Sequence, residues 1–240
     1  MASDRRQGFR RSAEETRSTS EVSVAEHGAM DDRQDHRRRV RTPQVDLTDS
    51  EILQRGLEAF AELGYPGASV RELAKRLGVN HNFINDRFGS KEKFWRAAVD
   101  HALRAPMRQL VTILEGDLDD VEKFKCVVRT YHSLAANMPH ANRIISDESV
   151  FESDRLNYLY SEYTGRFLDK LEPLAQRLIA SGRMPPMNMD VLFSALTGPA
   201  VVMAQNQLVR RTNEAGDPRT DEWRQKTDSL AEVVIRGLLS

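Results

Sequence analysis

Residues 69–88 read Ser69-Val70-Arg71-Glu72-Leu73-Ala74-Lys75-Arg76-Leu77-Gly78-Val79-Asn80-His81-Asn82-Phe83-Ile84-Asn85-Asp86-Arg87-Phe88. Val70, Leu73, Ala74 and Leu77 stand at i, i+3, i+4 and i+7, one apolar stripe on a helix. Ser69 and Glu72 have the spacing of a capping box at its start, and Gly78 suits its end. Asn80 is placed to cap a following helix that carries Ile84 and Phe88 inward and stops at Gly89. Only Leu77-Gly78-Val79 separates the two helices. A turn that short makes them cross steeply instead of lying antiparallel, which is helix-turn-helix geometry.

The pattern extends outward in both directions. Upstream, Thr48 and Glu51 form a second capping box, followed by Leu53, Leu57 and Phe60 on one stripe. Gly64 stops that helix and Tyr65-Pro66-Gly67 reads as a turn. Downstream, Ser90 caps a helix opening at Lys91, which Pro106 is expected to break or kink. Further helical stretches are expected over 117–137, 140–151 and 154–181, then 188–212 and 219–239. Gly198-Pro199 implies a local kink in the first of the last two. No segment alternates like a strand, so the expected fold class is all-α.

Residues 1–46 are rich in Arg, Glu, Ser and Asp and poor in large apolar side chains, the composition of a disordered tail. It ends in a basic cluster, His36, Arg37, Arg38, Arg39 and Arg41, which is either a solvated charge run or an arm lying along DNA. The net charge is −1, so any nucleic-acid affinity must come from local positive charge. A single cysteine, Cys126, excludes an intrachain disulfide or a multi-cysteine metal site and suits a small core residue. No apolar run reaches the roughly 20 residues of a membrane span, and no apolar signal segment opens the chain. A cytoplasmic protein with no membrane partner is the expectation. Nucleophile elbow, phosphate loop, dinucleotide fingerprint and His-Glu-x-x-His are all missing, so neither an enzyme nor a cofactor is expected. His132 and His140 lack carboxylate or cysteine partners at metal-ligand spacing, and no metal is expected.

The stretch Gly64-Tyr65, Ala68 to Ala74, Leu77-Gly78-Val79 and Ile84 to Glu92 closely resembles the signature of the TetR family of transcription regulators. The resemblance covers about 48–93. It implies a DNA-binding domain over 47–93, an effector-binding and dimerisation domain over 94–240, and a homodimer joined through the last two helices. It further implies repression at a palindromic double-stranded DNA operator, released by a small-molecule effector. One position departs from the family: Asn85 stands where a Tyr is usual.

The outward side of the second short helix supplies the expected readers: His81, Asn82, Phe83, Asn85 and Arg87, with the acidic Asp86 turned away from phosphate or bonded to a cytosine amino group. Asn can pair with adenine, Arg with guanine, and an apolar ring with the thymine methyl in the major groove. Phe83 is equally suited to packing against the first helix. The resemblance adds Arg71. Ser69 and Lys91, at helix N-termini, are expected on phosphates, and Arg38, Arg39 and Arg41 form the possible arm. In the second domain, Tyr131, His132, Tyr158, Tyr163 and Asn206 are the polar candidates for effector contact on otherwise apolar helices. Val191, Leu192, Ala195, Leu196, Pro199, Val202 and Met203, and then Trp223, Leu230, Ala231, Val234, Ile235 and Leu238, form wide apolar faces suited to core or dimer seam.

Overall fold

A computed structural model describes residues 47–205, 211 and 220–240; the expected tail over 1–46, with Arg38, Arg39 and Arg41, and the candidate Asn206 lie outside the described residues. Helices joined by short turns make up the described part, without a strand. They are α1 (Asp49–Gly67), α2 (Val70–Leu77), α3 (Phe83–Phe88), α4 (Lys91–Glu115), α5 (Asp120–Asn137), α6 (Pro139–Glu148) and α7 (Asp154–Leu159). A π-helical turn (Tyr160–Thr164) leads into α8 (Gly165–Ala180), followed by α9 (Met189–Gln205) and α10 (Asp221–Leu238).

Local chemistry sets these limits. Thr48 completes its capping box: its hydroxyl accepts the Glu51 N–H at 3.3 Å, and its own N–H reaches the Glu51 carboxylate at 2.8 Å. The box at Ser69 is only half made. Ser69 Oγ accepts the Glu72 N–H at 3.2 Å, but the Glu72 carboxylate turns to Arg76 instead of the cap backbone. Gly64 (φ 68°, ψ 157°) interrupts the helical conformation within α1 and leaves one turn, Tyr65 to Gly67, ahead of α2. Pro106 does not break α4, which runs through it for 25 residues, and α9 likewise continues across Gly198-Pro199. The α4 proline forgoes one backbone bond, and packing on both sides supports the rest of the helix.

Two apolar clusters form the core. The first gathers Ile52, Leu57 and Phe60 of α1, Leu73 and Leu77 of α2, Ile84 of α3, and Phe94, Trp95, Ala98 and Val99 of α4, with Ile144 and Leu159 closing it from α6 and α7. The second holds Leu110 and Leu114 of α4 with Phe124, Val127 and Val128 of α5, Phe167, Leu171 and Leu174 of α8, Leu192 and Leu196 of α9, and Ile235 and Leu238 of α10. Helix α4 thus serves both clusters, the first up to Leu103 and the second from Leu110. No helix among the described residues is long and apolar enough to cross a membrane.

Candidate nucleic-acid interface

Helices α2 and α3 are held from below and left open above. Leu73, Leu77 and Ile84 are fully buried, while Arg71, Lys75, His81, Asn82 and Asn85 are exposed. Gly78 makes the sharp reversal in the left-handed conformation (φ 69°), a backbone that glycine adopts without a side-chain penalty. Asn80 Oδ1 accepts the Asn82 N–H at 2.9 Å, an Asx turn that launches α3 at Phe83.

The exposed side chains fall on two adjoining concavities. Ser69, Arg71, Glu72, Lys75 and His81 line one, and Val70, Arg71, His81, Asn82 and Asn85 line the other. Arg71 and His81 are common to both. The nearby carboxylates are occupied elsewhere: Glu72 pairs with Arg76, which also pairs with Glu62. Arg71 and Lys75 therefore stand without a carboxylate partner among the described residues. Sequence reasoning passed over Lys75, whose place on the outward side of α2 was readable from the stripe that Leu73 and Leu77 define.

Two expected readers, Phe83 and Arg87, and the expected phosphate contact Lys91 sit differently from the rest. Phe83 is half-buried against the first core, so the packing alternative holds for much of its ring. Arg87 pairs with Asp49 at the start of α1, and its guanidinium lies 5.8 and 6.0 Å from the Phe83 and Phe88 ring centres. Lys91 donates from Nζ to the Tyr65 carbonyl at 2.6 Å, with the ammonium 4.1 Å from the Tyr65 ring centre. Burial first, and then the charge of Arg155, hold its pKa below the usual lysine value. An ammonium has three donors, and one is committed here.

The effector candidates separate into two places. Tyr131 and His132 lie on α5, which packs against α9; His132 is buried, with Nε2 at 3.0 Å from the Leu196 carbonyl oxygen. Burial pushes the Tyr131 hydroxyl up to about 12. Tyr158 and Tyr163 lie together instead. Both donate to the same Asp100 oxygen, at 2.6 and 2.5 Å. At about 100° per residue an α-helix would set positions five apart about 140° from one another. The π turn widens the helix to i→i+5 bonding and returns both rings to one side. They border a cleft of about 590 Å³ between α4 and the π turn and α8, whose other walls include Arg104, Met107, Arg108, Arg166 and Lys170. Asp100 escaped sequence analysis, as one carboxylate among many on a charged helix.

Residues 52–98 match the family described as bacterial regulatory proteins, tetR family. The nucleoid occlusion factor SlmA of Vibrio campbellii is 25% identical over 161 residues, spanning 64% of this chain and 82% of that protein. The HTH-type transcriptional repressor AcnR of Corynebacterium efficiens is 37% identical over 79 residues, spanning 31% of this chain and 42% of that protein.

These matches support a transcription regulator of the TetR family.

Among solved structures, a Clostridium perfringens putative fatty acid metabolism regulator superposes with a TM-score of 0.63 at 16% identity, covering 79% of this chain and 98% of that one. This likeness reaches beyond the matched segment and extends the shared fold to the helical C-terminal part. The similar proteins and the shared fold are those of transcription regulators, not of enzymes.

Proposed function

We propose that the chain is a homodimeric repressor that grips a palindromic operator through α2 and α3 and lets go when a small molecule binds its C-terminal helices. The observation that carries the DNA reading is the joint exposure of Arg71, Lys75, His81, Asn82 and Asn85 on two adjoining concavities. Asn82, Asn85 and His81 offer donors and acceptors for base edges, and Arg71 suits guanine. Ser69 and Lys91 supply phosphate contacts from helix N-termini, and Arg38, Arg39 and Arg41 a basic arm. Arg87 acts here only by exchanging Asp49 for a phosphate or a base. Phe83 offers its exposed edge to a thymine methyl.

Homodimerisation through α9 and α10 is supported by apolar side chains left over once the second core is filled. Val202 and Val233 are 49% and 65% exposed while their neighbours Ala204 and Val234 are buried. The cleft beside Tyr158 and Tyr163 is the favoured effector site, since it offers volume, apolar walls at Met107 and Val111, and convergent polar groups. Tyr131 and His132 mark a second, drier place on α5. The reading places the protein in the cytoplasm with its DNA. Footprinting the full chain on the DNA upstream of its own gene tests the proposal: protection of two symmetric half-sites is expected, and sequence-independent binding at moderate salt overturns it.

A further inference from the structure

Tyr65 is met by two cations. The guanidinium carbon of Arg155 lies 3.8 Å from its ring centre and the ammonium of Lys91 4.1 Å. Lys91 opens α4 beside the helix-turn-helix, whereas Arg155 comes from α7, 64 residues further along the chain. Arg155 is itself fixed: its Nε donates to Glu148 Oε1 at 2.7 Å, and Ser153 Oγ donates to the other oxygen of that carboxylate at 3.2 Å. The Glu148 side chain is only 10% exposed, so this anchor is well screened from water. Trp95, fully buried, meets Tyr65 edge-on at 6.3 Å and Tyr158 at 6.2 Å, so the ring has little room to turn.

We propose that Arg155 is a positioning residue of the DNA interface: acting from α7 through the face of Tyr65, it fixes where the Lys91 ammonium stands. This rests on the reading that Lys91 contacts a DNA phosphate. A cation held at a ring face is attracted by the ring's negative quadrupole, so a ring locked in place locks the cation. Tyr65 holds Lys91 twice, by its ring and by its carbonyl at 2.6 Å. Without Arg155 the ring keeps its stacking on Phe60 at 6.0 Å and its edge contact with Trp95 but loses the cation anchored on Glu148, and Lys91 follows the ring. Arg155 also adds positive charge close to Lys91, which an arriving phosphate relieves. The same short helix carries Tyr158, one turn on, at the wall of the Asp100 cleft. Phosphate grip and cleft thus share one element.

The test reads the salt dependence of binding to a short random-sequence duplex, which needs no knowledge of the operator. Arg155→Met, which keeps the apolar stem, is expected to weaken binding about tenfold and to reduce the slope of log affinity against log salt by about 1 per protomer, as for one lost phosphate contact. Lys91→Met should do the same, and the double variant should lose no more than either single one. Arg155→Lys, which restores a cation, should recover most of the affinity and slope. Melting curves on each variant confirm that binding is read on folded protein. An Arg155→Met protein with unchanged affinity and slope, or a double variant whose losses add, overturns the proposal while leaving the DNA reading intact. Wild-type protein with no salt-dependent affinity for duplex overturns the DNA reading and this inference with it.

Discussion

The imidazole of His132 stands with Nε2 at 3.0 Å from the carbonyl oxygen of Leu196, one bond joining α5 to α9 inside the protein. A carbonyl only accepts, so Nε2 carries the proton and Nδ1 is left as a bare acceptor. Nδ1 is buried with no hydrogen-bond partner among the described residues. Protonating it would place a charge and an unmatched N–H in the interior. Burial accordingly lowers the His132 pKa, against an opposing contribution from the Leu196 carbonyl.

A pH dependence of stability follows. The unfolded chain takes up this proton near the ordinary histidine value of about 6.5, and the folded chain only at lower pH. Folded protein therefore binds fewer protons in that window, and its stability falls as pH drops below about 6.5. The contribution is fully present above that value. Melting temperature measured from pH 8 to 5 should decline more steeply for the wild type than for His132→Gln, whose amide can still donate to Leu196. Parallel curves would sink the assignment.

Gly56 lies where α1 crosses α4. A Cβ there would stand 2.4 Å from Cζ of Phe94, a fully buried ring already packed against Phe60 and Phe88. Gly56→Ala raises helix propensity but overfills this crossing, and the second effect dominates. Overpacking costs about 1–3 kcal/mol, against about 1 kcal/mol gained from replacing helical glycine. Urea denaturation should show net destabilisation, with Gly56→Ser at least as severe.

Asp100 accepts two phenols at one oxygen, and Arg104 bonds the other at 3.1 Å. Asp100→Ala leaves both hydroxyls without their acceptor and should cost about 1–3 kcal/mol. Asp100→Asn, which keeps an acceptor, should cost less. Burial first, and then the Asp100 bond and charge, push Tyr158 up to about 12 and Tyr163 upward as well. Spectroscopic titration of the phenols should therefore show both ionising at lower pH in Asp100→Asn. An unchanged alkaline titration would mean that the dyad is looser than its geometry indicates.

On the proposed DNA face, Arg71 and Lys75 should separate by the kind of loss they cause. Arg71→Ala is expected to cost about 1–3 kcal/mol on the preferred site and to relax the choice of base there. Lys75→Ala should weaken binding evenly across sequences and lower the salt slope by about 1 per protomer. Asn85→Tyr restores the family's usual residue and should change the selected half-site while preserving the fold, because Asn85 is exposed and Ile84 carries the packing. Selection from a random duplex pool reads all three.

The helix-turn-helix was legible because glycine, caps and stripe all act within a few residues. Ser69, Gly78 and the Leu73, Leu77 and Ile84 side chains take the places that their spacing implies. What stayed hidden is set by partners distant in sequence. Glu72 had the right spacing for a reciprocal cap, but Arg76 one turn on competes for it. Pro106 looked like a break because local rules weigh one lost backbone bond, whereas the cores on either side decide the path of α4. The Asp100 dyad depends on a π turn that no apolar periodicity announces, and the Arg155 contact spans elements that nothing local connects.

Helix α4, at about 1.5 Å per residue, is a rod of about 37 Å over its 25 residues. One end carries the floor of the helix-turn-helix, the other the wall of the second core. Severing the chain at residue 93 would strip Ile84 and Phe60 of Phe94, Trp95, Ala98 and Val99, so the reading head has no life as a detachable module. Grafting it onto another scaffold requires carrying the rod along, at least as far as Leu103.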